Sequence, residues 1–419
     1  MSIVQISPKK KVAGKIVAPP SKSYAQRAIA IGGLAQNNIV IKQPGNSADV
    51  LAAIRVLEDL NATIFLEGGD VIVHREIDME SKADIMINCG ESGLSTRLFS
   101  AFSLLFDQTF EIRGEGSIND RTMTMIEEGL QQFGKTILSN DGKLPLKISG
   151  KAKADKVVID GSVSSQFVTG ILLVAPFLAF DTTIQILNLK SRPYISMTLD
   201  IMRKFGLEFK LIGPDTYFIE GNQEIYKPVE YIVEGDWSSA SFFAVAGAIG
   251  GSMTLKGLKK FSKQADLKII EVIEKAGATV LWDKEDVEIQ KNSLNPFEFD
   301  ATDCPDLFPP IVVLASFASG VSRIKGVHRL IHKESNRAIA LQKECAKVGV
   351  KIVVEGDEML VYGGNVVVGE NVVFDSHNDH RIAMAMSLYA IGAKHAFTIQ
   401  EAEAVNKSFP DFYTYFEYI

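Results

Sequence analysis

One alternation of apolar and polar positions recurs six times along this chain. A short run of branched residues gives way to a small polar turn, and an apolar, helix-spaced stretch starts there. The six instances begin KIVAPPSKSYAQR, IMINCGESGLSTR, VVIDGSVSSQFVTG, YIVEGDWSSASFF, FEFDATDCPDLFPP and VVFDSHNDHRIAM. Their turns fall near Ser21, Gly90, Gly161, Gly235, Asp303 and Ser376, roughly 70 residues apart, the mark of a repeat architecture. After Gly90 the apolar residues Leu94, Leu98, Phe99, Phe102 and Leu105 are spaced by three or four, which predicts a helix. After Asp379 the residues Ile382, Ala383, Met386, Tyr389 and Ala390 do the same. Short β-branched strands follow each helix. A second amphipathic helix then appears in most repeats, as in SADVLAAIRVLEDLNATI and QADLKIIEVIEKAGATV, with a polar start and a Gly or Asn near its end. Alternating strands and helices give an α/β class, expected as a bundle of inner helices walled by sheet.

Three repeats precede about residue 230 and three follow it, which predicts two domains. The polar stretch GNQEIYKPVEY, with Pro228, is the expected linker, and Pro19-Pro20 a second crossing that leaves the N-terminal strand with the C-terminal half. The expected domains are therefore 21–230, and 1–20 together with 231–419, joined by a hinge of two short crossings. Every polar turn ends at a helix N-terminus, where unpaired N–H groups and a partial positive charge favour anions.

Charge sharpens this picture. The chain has 44 Lys and Arg against 51 Asp and Glu, a net charge of −7 over 419 residues. No general affinity for nucleic acid or an anionic membrane follows, so an anion site must be a local cationic cluster. Three cysteines, Cys89, Cys304 and Cys345, form neither a disulfide framework nor a paired metal spacing. The start MSIVQISPKKKVAGK has no apolar signal core. The longest apolar run, Phe167 to Phe180, is about 14 residues and too short to span a bilayer. A cytoplasmic protein is expected.

The turns hold the candidate chemistry. Lys22, Ser23 and Arg27 open the first helix, but the glycines of a P-loop are missing upstream. Gly90, Gly93 and Arg97 mark the second turn, where glycine lets a ligand approach the backbone. Ser164, Ser165 and Gln166 offer hydroxyls and an amide at the third. Asp303 and Asp306 stand at the fifth, beside Lys333, Glu334 and Arg337 in HKESNR. A carboxylate among cations stays ionised and can take a proton from a hydroxyl. SHNDHR brings His377, Asp379, His380 and Arg381 to the sixth turn; the spacing is not HExxH and no third ligand is near, so no metal is expected. Lys407 in VNKSFPDF and Arg121 in GEGSINDRTM complete the set. Singly, each has an ordinary use as a cap or surface charge. Together they recur at corresponding turns, which points to a doubly or triply anionic pair of substrates. The fourth turn, GDWSSAS, carries no basic residue and is read as structural.

PPSKSYAQR, GESGLSTR, DGSVSSQF, SRPYI, DATDCPDLFP, KESNR, NDHR and NKSFPDF occur in the order found in the 3-phosphoshikimate 1-carboxyvinyltransferase (EPSP synthase) family of enolpyruvyl transferases, which the chain resembles throughout. The resemblance implies two domains, each of three βαβαββ repeats, an inside-out α/β barrel. It implies transfer of the carboxyvinyl group of phosphoenolpyruvate to the 5-hydroxyl of shikimate 3-phosphate through a tetrahedral intermediate, with no metal or organic cofactor. Lys22, Ser23, Arg27, Ser164, Ser165, Gln166, Ser191, Asp306 and Lys333 then look like the shikimate-phosphate site. Lys22, Gly93, Arg121, Gln166, Arg337, Arg381 and Lys407 look like the phosphoenolpyruvate site. Asp306, Glu334 and Lys22 would be catalytic, with Asp306 deprotonating the hydroxyl and Glu334 shuttling a proton to and from the methylene carbon. The implied partners are these small molecules alone, acting on a monomer, with no nucleic acid or membrane.

The sequence departs from the family pattern at Glu91, where Asn is usual, at Leu94 and Leu98 for Thr and Pro, at Arg329 for Asn, and at Asn336 for Asp. The first three are expected to change how the family inhibitor glyphosate binds. A related transferase acting on UDP-N-acetylglucosamine uses a reactive Cys on the loop that here reads GEGSINDRTM, without Cys. An RNA 3′-phosphate cyclase relative would show a catalytic His and a basic face. A non-catalytic binding relative would lose Asp306, Glu334 or Lys22, and all are present.

Overall fold

The structure, a computed structural model, describes residues 2–75, 77–78, 83–162, 165–331 and 333–419. It divides into two compact units, one made of Met1–Pro19 and Glu234–Ile419 and one of Pro20–Val233. The chain thus passes from the two-segment unit to the contiguous unit after Pro19 and returns after Val233.

In the contiguous unit, helices come in alternating kinds. α1 (Lys22–Gly32), α3 (Gly93–Ser100) and α5 (Ser165–Val174) follow the polar turns. α2 (Ala48–Asp59), α4 (Thr124–Gln132) and α6 (Arg192–Lys204) are the second helices of their repeats. The first kind is buried almost throughout, polar side chains such as Gln26, Arg27 and Arg97 included, because α1 and α5 both pack against α3 or its neighbours while sheets cover the rest. The second kind keeps a polar face, as the exposed Arg55, Glu58 and Asp59 of α2 show. Helices α3 and α5 approach closely at Gly170, where an added Cβ would lie 2.4 Å from the Leu98 carbonyl oxygen. Only glycine lets α5 come this near to α3.

The two-segment unit repeats the plan. α7 (Trp237–Gly250), α9 (Phe308–Phe317) and α11 (His380–Ser387) are its buried helices, with α9 packed against both others. α8 (Ile269–Lys275) and α10 (Arg337–Ala346) are the second helices, and α12 (Phe412–Tyr418) ends the chain.

Each repeat contributes one small sheet. In the second repeat its strands lie in the order Ile85–Asn88, Phe110–Arg113, Lys143–Ser149, Thr136–Asn140. The first pair is parallel, joined across a buried helix, and the other pairings are antiparallel. The sheets are separate and open; none closes on itself as a barrel among the described residues.

Two strands exchange places relative to the sequence pattern. Val12–Val17, which leads into α1, pairs in parallel with Gly251–Lys256 and so completes the sheet of the fourth repeat. Val229–Ile232, which leads into α7, pairs in parallel with Ile39–Lys42 in the sheet of the first repeat. The physical reason lies in the crossings: the helix after each of these strands belongs to the other unit. The sixth repeat differs as well. Its sheet has three strands, Val373–Asp375, Phe397–Gln400 and Ile3–Ile6, so the N-terminal strand stands where the other repeats place a hairpin.

Candidate active site

Each unit gathers its polar turns into one network, beginning with the helix starts. In the contiguous unit, Gln26 of α1 ties three of them together. Its Nε2 donates to the Asp49 carbonyl of α2 at 2.8 Å and to Ser92 Oγ, the cap of α3, at 2.9 Å. Beside it the Lys22 ammonium pairs with the Asp49 carboxylate at 2.8 Å, both largely buried. Arg27, one turn on, is 1% exposed. Its Nε donates to Thr198 Oγ1 of α6 (3.0 Å), Nη1 to the Ser23 carbonyl (2.8 Å), and Nη2 to Thr169 Oγ1 of α5 (3.2 Å) and the Tyr194 carbonyl (3.3 Å). All of these acceptors are neutral. Burial accordingly pushes the Arg27 guanidinium down to about 10.

A second cationic group surrounds the first residue of α3. Arg97 Nη1 donates to Gln166 Oε1 at 3.0 Å, and a Cβ on Gly93 would lie 3.0 Å from both Arg97 Nη1 and Arg121 Nη1. The structure therefore brings Gly93, Arg97, Arg121 and Gln166 together. Glu91 packs against the loop that carries Arg121, where a Cβ on Gly116 would meet its Cδ at 2.6 Å. Ser165 is the first residue of α5, and Ser191 stands just before α6 in the left-handed region, with φ 56°. Ser164 lies outside the described residues.

The two-segment unit centres on Asp306, in the turn Pro305–Leu307 before α9. Its Oδ1 accepts from Arg337 Nη1 at 2.7 Å and Lys333 Nζ at 3.3 Å, and its Oδ2 from Arg381 Nη2 at 3.1 Å. Burial alone would raise this carboxyl, but Arg381, Lys333 and Arg337 outweigh it and hold the group well below the usual carboxylate range. Arg337, the first residue of α10, also donates to Glu334 Oε2 at 2.6 Å and to both oxygens of the fully buried Asp379 at 2.8 and 3.2 Å. Burial lowers its proton affinity, but Asp379, Glu334 and Asp306 raise it further, so Arg337 is firmly charged. Burial lowers Lys333, with Asp306 opposing. Lys407 Nζ donates to the Asn378 carbonyl at 2.8 Å. That carbonyl is presented by two consecutive left-handed residues, His377 (φ 53°) and Asn378 (φ 50°). His377 in turn is held by the buried Glu344, 3.0 Å away.

Two of the SHNDHR residues serve the frame: Asp379 caps α11 by accepting from the Arg381 N–H at 3.0 Å, and His377 braces the turn before it. Among the described residues, no group of three or more His, Cys, Asp or Glu could hold a metal ion. Asn336, where the family pattern has Asp, caps α10 by accepting from the Ile339 N–H at 3.3 Å, a role either side chain fills. Arg329 lies in the short turn Val327–Leu330.

Sequence reasoning missed Asp49, Gln26, Thr169, Thr198 and Ser238. The fourth turn is more than scaffold: Ser238 Oγ accepts from Arg381 Nη1. Asp49 and Ser238 stand in the first turns of α2 and α7, where polar residues are common, and Gln26, Thr169 and Thr198 lie inside α1, α5 and α6 with no motif to single them out.

Comparison with known proteins follows the same lines. The profile of EPSP synthase (3-phosphoshikimate 1-carboxyvinyltransferase) matches residues 6–416. A 3-phosphoshikimate 1-carboxyvinyltransferase of Clostridium perfringens is 34% identical over 419 residues, covering 100% of this chain and 98% of that protein. The enzyme of that name from Methanosarcina acetivorans is 36% identical, over 97% and 95% of the two chains. The solved structure of EPSP synthase from Acinetobacter baumannii superposes with a TM-score of 0.81 at 25% identity, covering 98% of this chain and 96% of its own.

Proposed function

Because the chain belongs to the EPSP synthase (3-phosphoshikimate 1-carboxyvinyltransferase) family, we propose that the two polar networks divide the work of one enolpyruvyl transfer. The enzyme moves the carboxyvinyl group of phosphoenolpyruvate to the 5-hydroxyl of shikimate 3-phosphate and releases phosphate, in the shikimate pathway. In the addition step the hydroxyl oxygen bonds to C2 of phosphoenolpyruvate and C3 gains a proton. In the elimination step C3 loses a proton and the C2–O bond to phosphate breaks.

Lys22, Ser23, Arg27, Ser164, Ser165, Gln166, Ser191, Asp306 and Lys333 hold shikimate 3-phosphate in this reading. Arg27 supports it, as a buried guanidinium whose protein acceptors are all neutral and which gains most from a phosphate. Lys22, Gly93, Arg121, Gln166, Arg337, Arg381 and Lys407 hold phosphoenolpyruvate. Gly93 supports that assignment, since any side chain there would press on Arg97 and Arg121.

The observation that carries the mechanism is the Asp306 carboxylate gripped by Arg337, Arg381 and Lys333. So held, it is a poor base. When the anionic groups of the substrates draw these cations away, the proton affinity of Asp306 climbs and it can accept the proton of the 5-hydroxyl. Glu334, next to Arg337, carries the proton to and from C3. We place the enzyme in the cytoplasm, acting alone, a reading supported by its three buried free thiols. No helix among the described residues is long and apolar enough to cross a membrane.

The test is phosphate release from phosphoenolpyruvate in the presence of shikimate 3-phosphate. Asp306→Ala is expected to bind both substrates and turn over at least about a hundredfold more slowly. Near-normal turnover would remove Asp306 from the mechanism.

A further inference from the structure

One buried ionisable side chain of the two-segment unit has no part in the reaction as drawn above. Asp266 is 5% exposed and lies in the turn Ala265–Lys268 that runs into α8. Its Oδ1 is buried without a hydrogen-bond partner among the described residues. The turn packs against α7, and Ser238 at the start of that helix faces the carboxyl and favours its charged form. Ser238 Oγ in turn accepts from Arg381 Nη1, and Arg381 Nη2 donates to Asp306 Oδ2 at 3.1 Å. Asp266 therefore faces the Ser238 end of a hydrogen-bonded chain that runs through Arg381 to Asp306. The Arg381 Nε is itself buried without a partner, so the contacts of its two Nη groups fix the guanidinium plane.

We propose that Asp266 is a positioning residue for the transfer reaction, aiming Arg381 through Ser238 and setting how much positive charge that guanidinium offers to phosphoenolpyruvate. The inference rests on reading Arg381 as a phosphoenolpyruvate-binding residue. Groups from each neighbouring element face Asp266. They are Asp236 and Ser238 at the start of α7, Cys304 and Asp306 on the segment before α9, and Arg381 on α11. Lys268 stands on its own turn.

Burial first, and then the Asp306 carboxylate, push the Asp266 carboxyl up to about 7, against the pull of Arg381 and Ser238. Its charge therefore changes near neutrality. When protonated, Asp266 leaves the Arg381 charge to Asp306 and Asp236. When ionised, it adds a carboxylate that draws on the same guanidinium and weakens the pull on an incoming anion. The KM for phosphoenolpyruvate should therefore rise with pH through this titration. Asp266→Asn keeps an acceptor for Ser238 but cannot ionise, so it fixes the low-pH behaviour.

The experiment compares steady-state kinetics of the whole enzyme and its variants at about pH 6 and about pH 8. For Asp266→Asn, the KM for phosphoenolpyruvate is expected to match the unsubstituted enzyme at about pH 6 and to be about threefold lower at about pH 8. For Asp266→Ala, which removes the acceptor, kcat/KM for phosphoenolpyruvate is expected to fall about tenfold, with KM for shikimate 3-phosphate within about twofold. A ratio between the unsubstituted enzyme and Asp266→Asn that stays flat with pH overturns the proposal. So does an alanine variant that impairs both substrates equally, as a merely structural residue would. Arg381→Gln separates the two levels. If it leaves the KM for phosphoenolpyruvate unchanged, the reading of Arg381 falls and this inference with it. If it raises that KM while both Asp266 variants are silent, the inference alone falls.

Discussion

At the scale of single residues, the environment decides what each group can do. Burial pushes the thiols of Cys89 and Cys345 up to about 12 and raises Cys304 further. At neutral pH essentially no thiolate is present, so iodoacetamide is expected to leave phosphate release intact over an hour-scale incubation. Rapid inactivation would contradict the burial of all three. Gly93→Ala tests the opposite kind of site, one crowded by cations. Its methyl group would sit 3.0 Å from two guanidiniums, and the KM for phosphoenolpyruvate is expected to rise about tenfold while the melting temperature barely moves. Asp266 has a signature in stability as well. Its folded proton affinity is raised, so the folded state binds more protons than the unfolded one, and stability falls as pH rises from about 4 towards about 7. Asp266→Asn is thus expected to melt higher than the unsubstituted enzyme at about pH 8 and alike at about pH 4, by calorimetry. Lys22, Arg27, Asp306 and Arg381 were visible in sequence because charge at a recurring turn is unusual. Asp49, Ser238 and Asp266 were not, because their partners, Lys22 for Asp49 and Arg381 for the other two, are brought near only by the fold.

At the scale of elements, helix starts hold the networks together. Asp379 caps α11 and also accepts from the Arg337 and Ser335 side chains. Asp379→Ala removes the cap and leaves Arg337 buried beside fewer carboxylates. A loss of about 3–5 kcal/mol is expected, read from urea unfolding. Gly170→Ala challenges helix packing instead. Its Cβ would meet the Leu98 carbonyl at 2.4 Å and force α5 away from α3, an expected loss of about 1–3 kcal/mol. The helices were legible because their apolar spacing is strong, and the repeat because the switch from strand to helix recurs. The exchange of Val12–Val17 and Val229–Ile232 between sheets was only half legible. The prolines beside Ser21 hinted at a crossing for the first strand. YIVEG reads locally like every other leading strand, and nothing in its own pattern names the sheet it joins.

At the scale of the whole molecule, an acidic chain concentrates cations around Asp306, which they hold ionised far into acid. Glu344 behaves likewise: burial raises it, but His377, Lys347 and the Asp375 N–H prevail and lower it. Both carboxylates contribute stability that is full above their unfolded values, about 3.8 and about 4.5, and is lost as pH falls through the lower folded ones. The division of the chain has its own test. Residues 20–233 include every strand of their sheets, whereas 234–419 lacks Val12–Val17 and Ile3–Ile6. The fragment 20–233 is expected to melt cooperatively by circular dichroism, and the fragment 234–419 is not. The pairing of Ile3–Ile6 with Phe397–Gln400 also sets an order of events at the ribosome. Ile3–Ile6 cannot find its partner until Phe397–Gln400 has been translated. This strand must wait, unpaired, while the contiguous unit completes itself behind it. A nascent chain stalled near residue 270 should therefore protect residues 20–233 from protease and leave the first twenty open to it.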